Sequence, residues 1–173
     1  MKTKITALLI FFCSIFTFAQ TENTLKSIPE FSFVKMQSEG IFSSKDIKKG
    51  KQTLIVLYSP TCIHCQLALN HFSNNYEEHL KNTQIILVSE YEAKDAIPFL
   101  KEHAPNFVNN KNVELLYDSN YEFGPIFQPT SIPTFYLFDK DQNLVTIKKG
   151  SVEANQIFKY LKYFYIFVAF KYI

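Results

Sequence analysis

Leu54-Ile55-Val56-Leu57-Tyr58-Ser59-Pro60-Thr61-Cys62-Ile63-His64-Cys65 joins an apolar run, a short polar turn and two cysteines separated by two residues. The run from Leu54 to Tyr58 shows no polar alternation, the pattern of a strand buried on both faces. From Cys65 the apolar positions Leu69, Phe72, Tyr76 and Leu80 follow at steps of four, three, four and four, the spacing of a helix lying on a sheet. A strand that stops at Ser59-Pro60-Thr61 and turns into this helix leaves Cys62 on the helix's first turn. There, free backbone N–H groups and the helix dipole favour a thiolate over a thiol. Cys62 is therefore the expected nucleophile. Cys65, one turn along the same face, is close enough to close a disulfide onto it and is the expected resolving thiol.

The chain has 173 residues, 47% of them apolar and 16% aromatic, enough for one domain with its own core. Lys2 and Lys4 precede an uncharged apolar run from Ile5 to Phe18 that ends at Ala19-Gln20. That is the layout of a secretory signal peptide, with cleavage expected after Ala19, and the run is shorter than the ~20 residues a spanning helix needs. The third cysteine, Cys13, lies inside this leader and takes no part in the chemistry. Export allows a disulfide to persist, and two thiols are too few for a disulfide scaffold, so they read as a working pair. Without the leader, lysines and acidic residues are equal in number, and the chain contains no arginine. That balance excludes nucleic acid as a partner, because phosphate neutralisation needs clustered positive charge.

Along the chain, residues 1–19 read as the signal peptide, 20–30 as an extended lead-in, 31–162 as one domain and 163–173 as an aromatic tail. Phe31, Phe33 and Met36 mark a short strand, Gly40 a turn, and Ser43 or Ser44 the cap of a single helical turn through Ile47. Thr53–Tyr58 and Gln84–Ser89 are buried strands, and Val113–Tyr117 a third short one. Ala93–His103 is helical with a break or kink expected at Pro98. Asp118 to Pro129 reads as irregular chain after a turn. Thr134–Phe138 and Leu144–Lys148 form an antiparallel hairpin, and a last helix starts near Val152 or Glu153. This order implies an α/β fold, a central mixed β-sheet flanked by helices on both faces, with an N-terminal strand extension. The tail is the segment without an assigned role: Tyr163–Phe170 is unbroken apolar chain, and it continues the last helix, adds a strand against the core, contacts a membrane surface or forms a partner-binding patch.

With strand, Cys-x-x-Cys, helix and a later Ser131-Ile132-Pro133-Thr134 ahead of a hairpin, the chain resembles the thioredoxin fold. It is most similar to the exported TlpA-like branch, whose N-terminal pattern is matched in order by Pro29-Glu30-Phe31-Ser32-Phe33, Gly40, Asp46-Ile47 and Gly50-Lys51. The resemblance implies a thiol–disulfide oxidoreductase with catalytic Cys62 and Cys65. It also implies a cis peptide bond before Pro133, in a loop packed against the cysteine pair. The exposed backbone of Ile132 beside Pro133 is then available to pair with an extended substrate segment. Many thioredoxins have a buried acid six residues before the first cysteine. Here that position is Val56, so the proton acceptor for Cys65 lies elsewhere. Glu90 and Glu92 are the nearest acidic candidates and read better as solvated loop carboxylates.

Ile63 and His64, the residues between the cysteines, are supporting positions. A histidine there favours the reduced pair and makes the disulfide more oxidising, as in DsbA-like oxidases, whereas many TlpA-like reductases have proline. The resemblance implies no dissociable cofactor beyond the redox-active disulfide. Its partners are client proteins with cysteines or disulfides, and a membrane redox protein that exchanges electrons with the pair. Cys62, His64 and Cys65 could also ligate metal, but no second cluster accompanies them. His71, His79 and His103 read as structural or surface histidines, so no metal site is expected. Two alternatives to a reductase stay open: an oxidant of client thiols, and a non-catalytic binding or adaptor module that needs neither sulfur.

Overall fold

Every residue of β3 (Thr53–Leu57) is buried, so this strand has neighbours on both edges and side chains covered on both faces. The computed structural model describes residues 25–150 and 156–161. The signal-peptide and aromatic-tail expectations fall outside the described residues. Around β3 the chain forms β1 (Ser32–Lys35), β2 (Ile41–Ser43), α1 (Ile63–Asn74), β4 (Gln84–Ser89), α2 (Ala93–His103) and β5 (Val113–Tyr117). It continues through α3 (Phe123–Phe127), β6 (Thr134–Phe138) and β7 (Leu144–Lys149), and residues 156–161 form a last helix, α4. The seven strands lie in one sheet in the order β2-β1-β5-β4-β3-β6-β7. β3, β4 and β5 are parallel, and the other pairings are antiparallel.

The alternation of side chains along β3 divides the core into two layers. Leu54 and Val56 face α1, α2 and α4, where Leu69, Phe72, Leu100 and Phe158 complete the packing. Ile55 and Leu57 face the other way, into a layer built from Phe31, Phe33, Phe42 and Phe127. Helices therefore cover both faces, as the strand–helix order implies. The N-terminal extension is a hairpin, with β1 paired to β2 through Phe33 opposite Phe42. Ser27 of the lead-in makes an isolated bridge to Asn143, tying that segment to the β6–β7 turn.

α2 runs unbroken from Ala93 to His103 with Pro98 inside it. Its buried face, Ala96, Phe99 and Leu100, holds the helix against the sheet across the missing proline N–H. The chain after Asp118 is not irregular but contains α3, although Gly124 and Pro125 are poor helix residues. Phe123 and Phe127, four residues apart, stack at 4.3 Å between ring centroids and are fully buried. Asp118, itself buried, accepts the N–H groups of Glu122 at 2.9 Å and Phe123 at 2.8 Å, satisfying the start of this short helix. Asp118→Ala should therefore lower unfolding stability by about 2 kcal/mol, since it strands two backbone donors, read as a shift in urea midpoint at unchanged slope.

Candidate active site

Pro60, which lacks an N–H, follows the end of β3, and the chain turns there: the Ser59 carbonyl accepts the Cys62 N–H at 3.2 Å. Cys62 keeps an extended backbone, φ −99° and ψ 112°, so the helix begins one residue later at Ile63. The sequence places Cys62 in the first turn; the structure makes it the N-cap. Its sulfur takes the position of a capping oxygen and accepts the Cys65 N–H at 3.4 Å. The sulfur thus lies at the N-terminal end of a twelve-residue helix with a backbone donor aimed at it.

The two sulfurs occupy different surroundings. Cys62 is half-buried, whereas Cys65 is inaccessible to solvent and lies in the apolar cluster with Val56, Leu69 and Phe99. Cys65 Sγ accepts the Ser59 N–H at 3.4 Å. Burial raises the Cys65 thiol from an ordinary 9.0 to about 12; the Ser59 N–H opposes that rise, and the hydrogen bond and charge of Cys62 add to it. Both residues are free thiols.

The loop before β6 closes over Cys62. The Ile132–Pro133 peptide bond is cis, Pro133 is buried, and Ile132 is 40% exposed. Cys62 Sγ donates to the Ile132 carbonyl at 3.7 Å. Thr134 Oγ1 donates to the Ser131 carbonyl, and the Gly150 N–H donates to the Pro133 carbonyl at 2.8 Å, so the loop is held at both ends. The structure thus brings together Cys62, Cys65, Ile132 and Pro133. Ile63 and His64 point outward from the start of α1, and Ile63 is 58% exposed.

Other candidate groups lie away from the sulfurs. Glu90 and Glu92 are exposed, and Glu92 pairs with Lys94 at 3.1 Å. His71 and His79 flank the Phe158 ring at 6.1 and 4.4 Å, and His103 meets Phe99 edge-on at 5.0 Å. Among the described residues no three His, Cys, Asp or Glu side chains are grouped to hold a metal. Val56, where an acid is common in similar chains, is 1% exposed in an apolar setting.

Sequence reading missed Tyr91. Its hydroxyl lies 3.3 Å from Thr61 Oγ1, which is 2.9 Å from Ser59 Oγ, so a line of hydroxyls braces the turn that carries Cys62. The signal was present in the topology: β3 and β4 are parallel, so the residues after both strands emerge at the same edge of the sheet.

A half-exposed cysteine capping a helix, a buried partner one turn on and a cis-proline loop against the first sulfur define a dithiol site on an α/β scaffold. The chain belongs to the thioredoxin-like domain family, whose model matches residues 45–165. No curated protein is matched at a significant level. Among solved structures, a DsbF homologue from Corynebacterium diphtheriae superposes with a TM-score of 0.61 at 18% identity, covering 81% of this chain and 86% of that one. A secreted Mycobacterium tuberculosis disulfide oxidoreductase homologous to E. coli DsbE gives 0.61 at 13% identity, covering 76% and 94%. StoA from Bacillus subtilis gives 0.56 at 20%, covering 76% and 95%.

The asymmetry of the two thiols should appear in alkylation. At pH 8 iodoacetamide is expected to label Cys62 and spare Cys65 until the protein is unfolded, as read by peptide mass mapping. Between pH 9.0 and about 12 the unfolded chain releases the Cys65 proton while the folded chain retains it. The unfolded state then binds fewer protons, so this group makes the native state lose stability as pH rises through that window.

Proposed function

We propose that this chain is an exported thiol–disulfide oxidoreductase that exchanges a Cys62–Cys65 disulfide or dithiol with client proteins, working as a TlpA-like reductase. The observation that carries this reading is the placement of Cys62 Sγ, half-exposed, receiving the Cys65 N–H and touching the Ile132 carbonyl. In the reducing direction, the Cys62 thiolate attacks a client disulfide and one client sulfur leaves as a thiolate. Cys65, after passing its proton to the released client thiolate, attacks Cys62 Sγ. The second client sulfur leaves, the client holds two more electrons, and the chain holds the Cys62–Cys65 disulfide. A partner dithiol, on a membrane redox protein, restores the starting state.

The backbone of Ile132 supports a mode in which the client lies extended beside the loop, its cysteine over Cys62. The exposed Ile63 and Ile132 flank that path. The active pair is the redox group, with no dissociable cofactor. Export rests on the leader-like first nineteen residues, with a mature chain starting at Gln20. Solved proteins of similar shape include a secreted disulfide oxidoreductase, which accords with a setting outside the cytosol.

His64 next to the pair supports the opposite direction, an oxidant of client thiols, because a donor near Cys62 stabilises the dithiol. The reduction potential decides: a value near about −270 mV fits a reductant and one near about −120 mV an oxidant. Cys65→Ser should accumulate client mixed disulfides on non-reducing gels, and Cys62→Ser should trap none. Full biological activity in Cys62→Ser would refute the exchange reading and leave a binding module.

A further inference from the structure

The three parallel strands sort charge between the two ends of the sheet. The segments that follow β3, β4 and β5, residues 58–62, 90–92 and 118–122, hold Glu90, Glu92, Asp118 and Glu122 and no lysine. The segments that precede them, residues 48–52, 81–83 and 109–112, hold Lys48, Lys49, Lys51, Lys81 and Lys111 and no acid. Because these strands run the same way, the first set lies at the edge that carries Cys62 and the second at the opposite edge. Lysines and acids are equal in number outside the leader, so this separation, not net charge, gives the domain a basic end.

Hydrogen bonds draw the basic segments together. Lys48 donates through its backbone N–H to Gln84 Oε1 at 2.7 Å and through Nζ to the Lys111 carbonyl at 2.9 Å. Asn112 Nδ2 donates to the Lys81 carbonyl at 2.7 Å, and Lys51 Nζ donates to Asn112 Oδ1 at 3.5 Å. These acceptors are neutral and cancel no charge. Lys48, Lys49, Lys81 and Lys111 are exposed. Among the described residues, ion pairs join His79 to Glu78, Lys94 to Glu92 and His103 to Glu102, and none reaches the five lysines. The β6–β7 turn borders them, since the Gly50 N–H donates to the Lys140 carbonyl at 3.3 Å, and the Leu144 N–H ties in Lys26 through its carbonyl at 2.9 Å. That turn also holds Asp139 and Asp141, and the Asp139 carboxylate accepts the N–H groups of Asp141 and Asn143 at 2.9 and 2.8 Å. Glu77 and Glu78 are exposed ahead of Lys81.

The chemistry of this edge selects its partner. Among the described residues, every exposed large apolar side chain, Ile63, Leu67 and Ile132 included, lies outside these segments. The segments also contain no arginine and no aromatic residue. Protein interfaces take their anchors from such residues, and nucleic acid calls for forked or stacked contacts. Lysines on flexible stems suit instead a plane of diffuse negative charge. We propose that the edge opposite Cys62 is an adsorption surface for a bilayer rich in anionic phospholipid, which holds the domain with its cysteine pair turned away from the membrane and open to clients. The attraction is coulombic, so it is reversible and weakened by salt. It stands independently of the exchange reading.

The test is co-sedimentation of the chain from Gln20 with vesicles of phosphatidylcholine alone or with about one third phosphatidylglycerol. The wild-type protein should pellet with the anionic vesicles, stay in solution with the neutral ones and be released by high salt. The triple variant Lys49→Gln, Lys81→Gln, Lys111→Gln should bind more weakly by about tenfold or more. A control triple, Lys35→Gln, Lys94→Gln, Lys101→Gln, has the same net charge but is changed on β1 and α2, and should bind like wild type. Lysine acetylation of the wild-type protein repeats the test without a variant. Anionic vesicles should protect Lys49, Lys81 and Lys111 and leave Lys94, Lys101 and the iodoacetamide reaction of Cys62 unchanged. Equal binding to neutral vesicles would assign the contact to apolar chain and overturn the proposal. Absence of binding, equal loss in the two triples, or shielding of Cys62 on vesicles would overturn it as well. Capture by soluble polyglutamate without vesicle binding would indicate an acidic protein partner and count against it equally.

Discussion

The antiparallel pairing of β3 with β6, in the register that sets Leu57 opposite Thr134, is the constraint on which the site depends. β3 runs out of the sheet toward Cys62, and β6 enters the sheet at the same edge from Pro133. Opposite residues in such a pair lie about 5 Å apart, so chain leaving one strand meets chain entering the other. That meeting is the contact between Cys62 Sγ and the Ile132 carbonyl. A slip of one residue would turn every β6 side chain to the wrong layer. Phe135 would leave its stack on Phe72 at 5.0 Å, and Tyr136 would lose its hydrogen bond to Phe127. Aromatic packing on both faces thus holds the register, and the register holds the site.

The same architecture separates two chemically identical thiols. The helix start presents Cys62 at the surface with an N–H directed at its sulfur. One turn on, the same helix carries Cys65 into the apolar layer beneath. Position alone therefore supplies an accessible sulfur and a reluctant one. Val56 extends this apolar setting into the strand below.

Regular elements were legible where burial and periodicity agree. Gln84–Ser89, Ala93–His103 and Val113–Tyr117 occur with the boundaries read from pattern, and Thr53–Leu57 differs from its reading by one residue. β2 and α3 were not legible. β2 has three residues, and its place in the sheet comes from Phe42 packing on Phe31 and facing Phe33. α3 has a poor helix sequence stabilised by stacked phenylalanines and by Asp118, contacts between residues that a linear pattern does not relate.

Taken alone, the order of residues determined which chemistry is available: two cysteines at helical spacing behind a buried strand, no arginine, and an apolar residue where an acid is common. Local patterns of three to four residues report such facts, because helix and strand periodicities are properties of neighbouring residues. Tertiary structure decided what those residues meet. The carbonyl of Ile132 reaches Cys62 across seventy positions, Tyr91 braces the turn across thirty, and the Tyr58 hydroxyl is left buried without a partner. Each depends on strand register and layer packing, which are set by contacts distant in the chain and so have no signature in any short stretch of it.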